Sequence, residues 1–331
     1  MEEARRMSSG GVLVTGAAGF IGSHVAAALL ARGERVAGLD NFDPFYPAEL
    51  KRRNLAAVER AAPPGAWVFE EGDICDASAM ARVFERVRPA GVIHLAARAG
   101  VRPSIADPVG YARVNVLGTA VVLEAARAAG CGRVVIASSS SVYGNNPKVP
   151  FSEEDDVSGP ISPYASTKRS CELLAHAHRH LTGMPTACLR FFTVYGPRQR
   201  PDLAIGRFLR AIGRGEPIQM FGDGTSSRDY TYIDDIVSGV LSAYDRIADH
   251  GYRIWNLGGS SPVTLAEMIA TAARVVGRES RVERRAMQPG DVERTFADLS
   301  RSRAELGFEP RTGLEEGMRR QWAWMREEGL A

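Results

Sequence analysis

The first half of the sequence alternates short apolar runs with helical patterns, and this alternation limits the possible folds more than any other feature. The apolar runs lie at residues 12–15, 35–39, 67–70, 92–95 and 133–137, and helical patterns lie at 21–31, 77–86 and 114–129. Continuous apolar strands separated by helices are typical of a parallel sheet that is covered on both faces. Because the crossovers of such a sheet are right-handed, we predict a doubly wound α/β fold.

The pattern becomes less regular in the second half of the chain. Residues 145–163 are rich in Pro, Ser, Gly and acidic residues and predict a surface loop, while 162–182 predicts a helix and 186–192 a strand. From Tyr195 onward, Gly and Pro recur and the predicted elements are shorter. We therefore predict a flexible N-terminus at 1–10, a sheet domain at 11–193 that later segments complete, and a smaller lobe at 194–331.

Composition and charge exclude several classes of protein. The 41 basic and 39 acidic residues leave a net charge of +2, which is too small to indicate a nucleic-acid or anionic-membrane surface. No apolar run reaches about 18 residues, and the N-terminus lacks the apolar stretch of a signal peptide. We therefore expect a cytoplasmic protein. The cysteines lack metal-ligand spacing, so we expect reduced thiols and no metal: Cys75, Cys131, Cys171 and Cys188.

A glycine-rich turn joins the first predicted strand to the first predicted helix. Gly16, Gly19 and Gly22 stand in VLVTGAAGFIGSHV, where glycine allows the backbone to approach a pyrophosphate and the helix N-terminus offers free N–H groups. Asp40 ends the second predicted strand, 18 residues after Gly22. A carboxylate there accepts hydrogen bonds from ribose hydroxyls and repels a 2′-phosphate, so we predict a Rossmann-type domain that binds NAD. The neighbouring Phe20, Ile21 and Asn41 are assigned to the same site.

Two later segments extend the predicted cofactor site. Asp73 and Ile74 follow the third predicted strand, where a side chain can reach the adenine. Leu95, Ala96 and Ala97 end the fourth predicted strand. The small residues of this segment leave room for the cofactor, so all three are assigned to its site.

Tyr164 and Lys168 are candidates for acid–base chemistry. Their spacing of four residues places them on one face of the predicted helix, and Lys168 is one of three lysines in the chain. A phenol is a poor base at neutral pH, but a nearby ammonium ion favours its phenolate form. A hydroxyl donor is expected from the serine run that ends the fifth predicted strand, Ser138, Ser139, Ser140 and Ser141.

These motifs resemble the extended short-chain dehydrogenases/reductases, in the nucleotide-sugar epimerase/dehydratase group. The resemblance extends over residues 11–325 and includes TGAAGFIG, HLAA, SSSSVYG, LRFFTVYGP, RDYTYIDDIV and QPGDV. It implies that Tyr164 is the base, that Lys168 is its electrostatic partner and that Ser139, five residues before Gly144, contacts the sugar O4. Ser138 and Ser140 remain candidates for that contact. Asn115 matches a family Asn near the cofactor.

The resemblance also implies a reaction type. Dehydratases of the group carry an Asp-Glu pair after the catalytic hydroxyl, whereas this chain has Ser140 and Ser141, which are then expected to bind substrate. Two reactions of the sugar then remain as candidates: epimerisation at C4, and oxidation at C4 followed by loss of the 5-carboxylate. DNFDPFYPAELKRRNL, AGVRPS (which contains Arg102) and FFTVYGPRQRPDLA resemble the uronate 4-epimerases. This likeness implies that Arg102 binds substrate and that Thr193 and Arg200 contact a uronate carboxylate. Arg198 and Gln199 depart from the plant-type pattern, which has Trp-Gly there.

The second lobe is expected to hold the nucleotide. The resemblance implies that Arg228 and Asp291 hold phosphate and ribose, and that Gln219 and Phe221 border the uracil. Family members carry Arg where this chain has Gln288.

The resemblance therefore implies a NAD-dependent UDP-sugar 4-epimerase that converts UDP-glucuronate to UDP-galacturonate. The alternatives are a UDP-glucose 4-epimerase, a UDP-glucuronate decarboxylase and a catalytically silent nucleotide-sugar binding protein. The helical patterns at 114–129 and 162–182 are expected to pair in a homodimer, as is common in the family.

Overall fold

A computed structural model describes residues 10–286 and 292–331. Apart from Gly10, the N-terminus predicted to be flexible lies outside the described residues. Asp291 and Gln288 lie outside them as well. The described chain divides into two units. The first contains the described part of 1–144, then 156–190 and 237–255, and the second contains 145–155, 191–236 and the described part of 256–331.

The main sheet has seven strands, and its topology confirms the predicted doubly wound, Rossmann-type fold. The strands are β1 (Val12–Thr15), β2 (Val36–Asp40), β3 (Trp67–Glu71), β4 (Gly91–His94), β5 (Val134–Ser139), β6 (Thr186–Phe191) and β10 (Tyr252–Leu257). The strand order is β10-β6-β5-β4-β1-β2-β3, and the neighbours from β5 to β3 pair in parallel. Because β2 and β4 lie on opposite sides of β1, the chain order reverses at β1, where such sheets bind ligands beyond their carboxyl ends.

The helices that accompany this sheet differ from the predicted ones in several places. The helices are α1 (Phe20–Ala31), α2 (Ala48–Ala61), α3 (Ala77–Val87), α4 (Val101–Ala106), α5 (Pro108–Tyr111), α6 (Gly118–Ala128), α7 (Pro163–Thr182) and α9 (Ile233–His250). The sequence did not predict α2, α4 or α5, and it gave no bounds for α9. The helix predicted at 114–129 instead consists of a π-helical turn, Ala112–Leu117, followed by α6.

The remaining elements lie in the second unit. They are β7 (Thr193–Tyr195), β8 (Ile218–Phe221), β9 (Ser227–Tyr232), β11 (Pro262–Thr264), β12 (Val282–Arg285), α8 (Ala204–Arg214), α10 (Leu265–Val276), α11 (Ser300–Leu306) and α12 (Leu314–Glu327). They form a three-stranded sheet, β11-β9-β7, and a two-stranded sheet, β12-β8, and α8, α10 and α12 pack together.

The core of the first unit fixes the strand ends that carry the candidate site. Leu13, Leu39 and Val92 from adjacent strands are fully buried and pack with Phe84 of α3 and Val122 of α6. Burial of side chains of this size contributes about 1.5–3 kcal/mol each. The strands are therefore held in register, and the loops at their carboxyl ends start from fixed positions. Across the described ranges, the helices are too short or too polar to cross a membrane.

Candidate active site

The glycine-rich turn lies against the end of β4. Gly16 has a φ of +71°, and a Cβ atom there would lie 2.8 Å from the Ala96 nitrogen. At Gly22 a Cβ atom would collide with the carbonyl oxygen of Gly16. Helix α1 begins next to Gly19, which has no side chain to cap it. The turn therefore presents an uncapped helix N-terminus at the sheet's switch point, which fits the pyrophosphate of a dinucleotide.

Asp40 is buried at the end of β2 and is bonded to this turn. Its Oδ2 accepts a hydrogen bond from the Ala18 N–H at 3.2 Å, and its Oδ1 accepts one from the Phe42 N–H at 2.9 Å. Lys51 of α2 places its Nζ 4.0 Å from Oδ1. Burial raises the pKa of Asp40, and Lys51 opposes that shift. The Asp40 carboxylate can therefore accept a hydrogen bond from a ribose hydroxyl. Sequence reasoning missed the contact with Lys51 because it did not predict α2.

The other predicted cofactor contacts lie at the same edge of the sheet, but several side chains also close local turns. Asp73 Oδ1 accepts a hydrogen bond from the Cys75 N–H at 2.9 Å, and Asn41 Oδ1 accepts one from the Asp43 N–H at 3.0 Å. Ile74 is buried near Gly118. Phe20 is buried in α1, whereas Ile21, Leu95, Ala96 and Ala97 are partly exposed. Their roles toward a cofactor remain predictions.

His94 at the end of β4 joins three elements, and sequence reasoning gave it no role. One ring nitrogen lies 2.7 Å from Thr15 Oγ1 and the other lies 3.1 Å from Thr119 Oγ1. Burial, assisted by the charge of Lys168, lowers the pKa of His94 to about 3. Its ring is therefore neutral near physiological pH, and it connects β1 to α6 rather than exchanging protons.

Asn115 lies in the π-helical turn and links the β4 loop to α7. Its Oδ1 accepts a hydrogen bond from the Arg98 N–H at 2.8 Å. Its Nδ2 donates to the Arg98 carbonyl at 3.0 Å and to Thr167 Oγ1 at 3.0 Å. All polar atoms of this buried side chain thus hold neighbouring segments in place. Asn115 lies near the predicted cofactor site, but these hydrogen bonds are to the protein itself.

Tyr164 and Lys168 are both buried on one face of α7, as their spacing predicts. The helix starts at the cap residue Ser162, whose Oγ accepts the Ala165 N–H at 3.2 Å. Lys168 Nζ donates to the Ala137 carbonyl at 2.8 Å. Because Ala137 is in β5, this bond holds the ammonium group beside the strand that ends at Ser139. The structure therefore brings the predicted base, its cation and the serine run together.

The serine run is divided between two tasks. Ser138 Oγ donates to the buried Glu172 at 2.6 Å, which commits its hydroxyl to the protein interior. Ser139 Oγ accepts the Ser141 N–H at 3.1 Å and lies 3.1 Å from Ser141 Oγ. Ser140 and Ser141 begin a single 3₁₀ turn. The geometry thus favours Ser139 or Ser141 over Ser138 as the hydroxyl that faces a substrate.

A buried ion pair that the sequence did not predict lies next to these serines. Arg190 of β6 donates to both oxygens of Glu172 in α7, at 2.8 and 2.9 Å, and the two side chains are 1% and 0% exposed. Arg190 also donates to the Tyr143 hydroxyl at 3.0 Å. Burial opposes ionisation of Glu172, but Arg190 overcomes it and keeps the Glu172 pKa below its usual value. This network joins β5, β6 and α7.

The predicted carboxylate contacts lie in the second unit. Thr193 is in β7, opposite Tyr230, and Arg200 follows in the next loop. Arg200 donates through Nε and Nη2 to the two oxygens of Asp202, at 3.1 and 3.0 Å. Gln199 is buried and holds this loop, since its Oε1 accepts the Gly206 N–H at 3.2 Å. The departure at Gln199 thus stabilises the loop that carries Arg200.

The remaining predicted substrate contacts are spread over several elements. Gln219 and Phe221 lie in β8, and Arg228 lies in β9. The Arg228 guanidinium donates to the Ser227 carbonyl at 2.9 Å. Arg102 is exposed at the start of α4 in the first unit. The prediction for Asp291 falls outside the described residues.

One family pattern covers the glycine-rich turn, Asp40 at the end of β2, and the helix that carries Tyr164 and Lys168. Residues 12–258 match the NAD dependent epimerase/dehydratase family. The chain belongs to this family. Its cofactor is NAD, and the uncapped glycine turn and Asp40 described above provide a site that fits it.

Several relatives are similar over nearly the whole chain. The chain is 41% identical to the UDP-glucuronate 4-epimerase of Thermodesulfobacterium geofontis (strain OPF15), over 95% of this chain and 96% of the relative. It is 43% identical to UDP-glucuronate 4-epimerase 3 of Arabidopsis thaliana, over 95% and 76%. The crystal structure of UDP-glucuronic acid 4-epimerase from Bacillus cereus, in complex with UDP-glucuronic acid and NAD, is 34% identical, with a TM-score of 0.88 over 96% and 99%.

Proposed function

We propose that the protein is a NAD-dependent 4-epimerase that interconverts UDP-glucuronate and UDP-galacturonate. The observation that carries this proposal is the buried Tyr164–Lys168 pair, held against β5 beside Ser139. The epimerase relatives support the reaction, and their names support the uronate substrate. Ser140 and Ser141 stand where a dehydratase needs carboxylates, which disfavours loss of water.

The residues of this chain supply the proton chemistry and the positioning. When bound, NAD accepts a hydride from C4 of the sugar and returns it. Tyr164 takes the O4 proton and later gives it back, and Ser139 donates a hydrogen bond to O4. Lys168 lies one helical turn from Tyr164, and its ammonium group is fixed against the Ala137 carbonyl as the positive charge of the site. Thr193 and Arg200 bind the carboxylate, for which a guanidinium fork is suited.

The test of this function is direct. Purified protein is incubated with UDP-glucuronate, and the anomeric sugar protons are followed by NMR. We expect the UDP-galacturonate signal to grow until both sugars reach equilibrium. Turnover of UDP-glucose alone would identify the neutral-sugar epimerase, a pentose product alone would identify a decarboxylase, and no turnover of either substrate would identify a binding protein.

Arg200 tests the uronate assignment specifically. A 4-keto uronate is a β-keto acid and loses CO₂ when its C5–carboxyl bond is parallel to the carbonyl π-orbitals, so an epimerase must restrain the carboxylate. We expect Arg200→Ala to lower UDP-glucuronate epimerisation by about ten- to a hundredfold, the cost of a hydrogen bond to a charged group, and to release more 4-keto pentose. Both products are measured by NMR.

A matched arginine provides the control for this variant. Arg207 is exposed on α8, seven residues further along, so Arg207→Ala should keep the wild-type product ratio. If Arg200→Ala lowers any activity on UDP-glucose equally and yields no decarboxylated sugar, Arg200 is structural and the uronate assignment loses its main support.

We also propose a homodimer in which the helices from α4 to α7 pair between two copies. Large apolar side chains are exposed on these helices, with Val109 at 78% and Leu181 at 81%. The others are Ile105, Leu117 and Leu173. Burial of such side chains in a second copy removes apolar surface from water. Sedimentation equilibrium should give twice the chain mass of 35.8 kDa.

A charged residue on this surface should separate the copies. We expect Leu173→Glu to give a monomer, whereas Val282→Glu, at an exposed apolar position in the second unit, should remain dimeric. A wild-type protein that sediments as a monomer at tens of micromolar would exclude this assembly.

We propose that the protein works in the cytoplasm, with a UDP-sugar as its partner. A reducing compartment suits its four free thiols, of which three are buried. Burial raises the pKa of Cys131 to about 12, so this thiol stays protonated and unreactive.

A further inference from the structure

Two loops from opposite sides of β1 are joined by an ion pair. Asp43 lies three residues after the end of β2, and Arg98 lies four residues after the end of β4. Because β2 and β4 flank β1, their ends are separated by two strand spacings, roughly 10 Å. Arg98 Nη2 nevertheless approaches Asp43 Oδ2 to 3.2 Å. The contact therefore spans the carboxyl end of β1, where the glycine-rich turn lies.

We propose that the Arg98–Asp43 ion pair, called the strap below, closes over NAD on the glycine-rich turn and slows its dissociation. This inference takes NAD as the cofactor from the family. It rests on the proposed function in one respect, because only that function explains why NAD must be retained. An epimerase that returns a hydride to the carbon it came from has to keep its cofactor throughout the turnover.

The Arg98 side of the strap is a fixed anchor. The Asn115 side chain binds both the backbone N–H and the carbonyl of Arg98, at 2.8 and 3.0 Å. Arg98 Nη1 donates to Asp107 Oδ2 at 2.6 Å, and Asp107 caps α5 by accepting the Gly110 N–H at 2.9 Å. The guanidinium is thus placed by two neighbouring helical segments before it meets Asp43.

The Asp43 side is a short turn that its own hydrogen bonds hold together. Asp43 Oδ1 accepts the Phe45 N–H at 2.9 Å, and the Asp43 N–H donates to Asn41 at 3.0 Å. Lys51 Nζ donates to the Asp43 carbonyl at 2.8 Å and so joins the turn to α2. The strap side chains are 26% and 22% exposed, so water and salt can compete for the ion pair when it opens.

The geometry makes a prediction about rates. An ion pair that is partly shielded from water contributes at the upper end of the range for exposed pairs, or slightly above it. We therefore expect Asp43→Asn and Arg98→Gln each to accelerate NAD dissociation about three- to tenfold. Because both remove the same contact, the double variant should release NAD no faster than the faster single variant.

The experiment measures release directly. Holoenzyme loaded with NAD is mixed rapidly with excess etheno-NAD, and the fluorescence change gives the dissociation rate. The control is Asp245→Asn, which breaks the bidentate Arg32–Asp245 pair at the opposite end of α1 and should leave the rate unchanged. Raising salt from about 50 to 500 mM should reduce the difference between wild type and Asp43→Asn.

Other outcomes overturn the strap. If Arg98 binds a cofactor phosphate directly, Arg98→Gln accelerates release while Asp43→Asn slows it or has no effect. If neither substitution changes the rate while the wild type epimerises UDP-glucuronate, the strap is wrong and the proposed function stands. If the wild type binds NAD but turns over no UDP-sugar, the proposed function fails. The dissociation rates then still decide whether the strap slows the release of NAD.

Discussion

Replacement of Tyr164 by phenylalanine should remove turnover while the fold and NAD binding persist. The substitution deletes only the hydroxyl. It retains the ring, which packs edge-on against Tyr111, and the backbone N–H, which donates to Ser104 Oγ at 3.1 Å. General base catalysis contributes about 10²–10⁴, and loss of the phenolate blocks the first step, so we expect kcat to fall by several orders of magnitude. NMR of the sugar products and NAD content after gel filtration measure the two effects.

Tyr244→Phe is the matched control for Tyr164→Phe. Tyr244 is also a buried helical tyrosine of the first unit, but its ring packs with Arg133, and neither residue belongs to the candidate site. Its substitution should leave turnover near wild type. The assignment of Tyr164 as the base is wrong if Tyr164→Phe keeps more than roughly a tenth of the activity.

Arg190→Met should destabilise the protein by about 3–5 kcal/mol. The substitution removes the bidentate partner of a fully buried carboxylate and leaves it only Ser138 and the partly exposed Arg169, and removal of one partner of a buried ion pair has this cost. The Tyr143 hydroxyl loses its hydrogen bond from Arg190 as well. Urea denaturation measures the free energy of unfolding.

Two further variants separate loss of charge pairing from loss of packing. The double variant Glu172→Leu, Arg190→Met removes both charges and should recover much of the lost stability, since apolar replacements of buried pairs are often neutral. Arg133→Met removes a guanidinium that packs over Tyr244 at 4.7 Å, much as Arg190 packs over Tyr143 at 4.8 Å, but without a buried carboxylate. Equal losses for Arg133→Met and Arg190→Met would show that the ion pair itself is unimportant.

Much of the fold could be predicted because its signals are local. The strands that follow one another through the centre of the sheet are continuous apolar runs, and the order of strand and helix dictates a doubly wound topology. Helix α2 was missed because its apolar positions, among them Leu55 and Val58, are few and lie between charged residues. The π-helical turn around Asn115 was missed because the apolar pattern of α6 continues through it without interruption.

The candidate site divides in the same way. Gly16, Asp40, Tyr164 and Lys168 could be identified from the sequence because each signal depends on neighbours within one turn or one strand end. Their relation to one another follows from the parallel sheet, which brings the carboxyl ends of its strands to one edge. By itself, the sequence thus determined the fold class and the cofactor, and it predicted the turn and the helix that carry the candidate site residues.

Only the tertiary structure decided which side chains support these residues. Arg190 reaches Glu172 across 18 positions of the chain, and Arg98 reaches Asp43 across 55. Pairs at such separations leave no periodic signal, because whether two distant residues meet depends on strand order and on the paths of the intervening loops. The same reason explains Ser138. It begins a run of four serines that the sequence does not distinguish, and it is withdrawn from the candidate hydroxyls only because the fold places Glu172 within 2.6 Å of its oxygen.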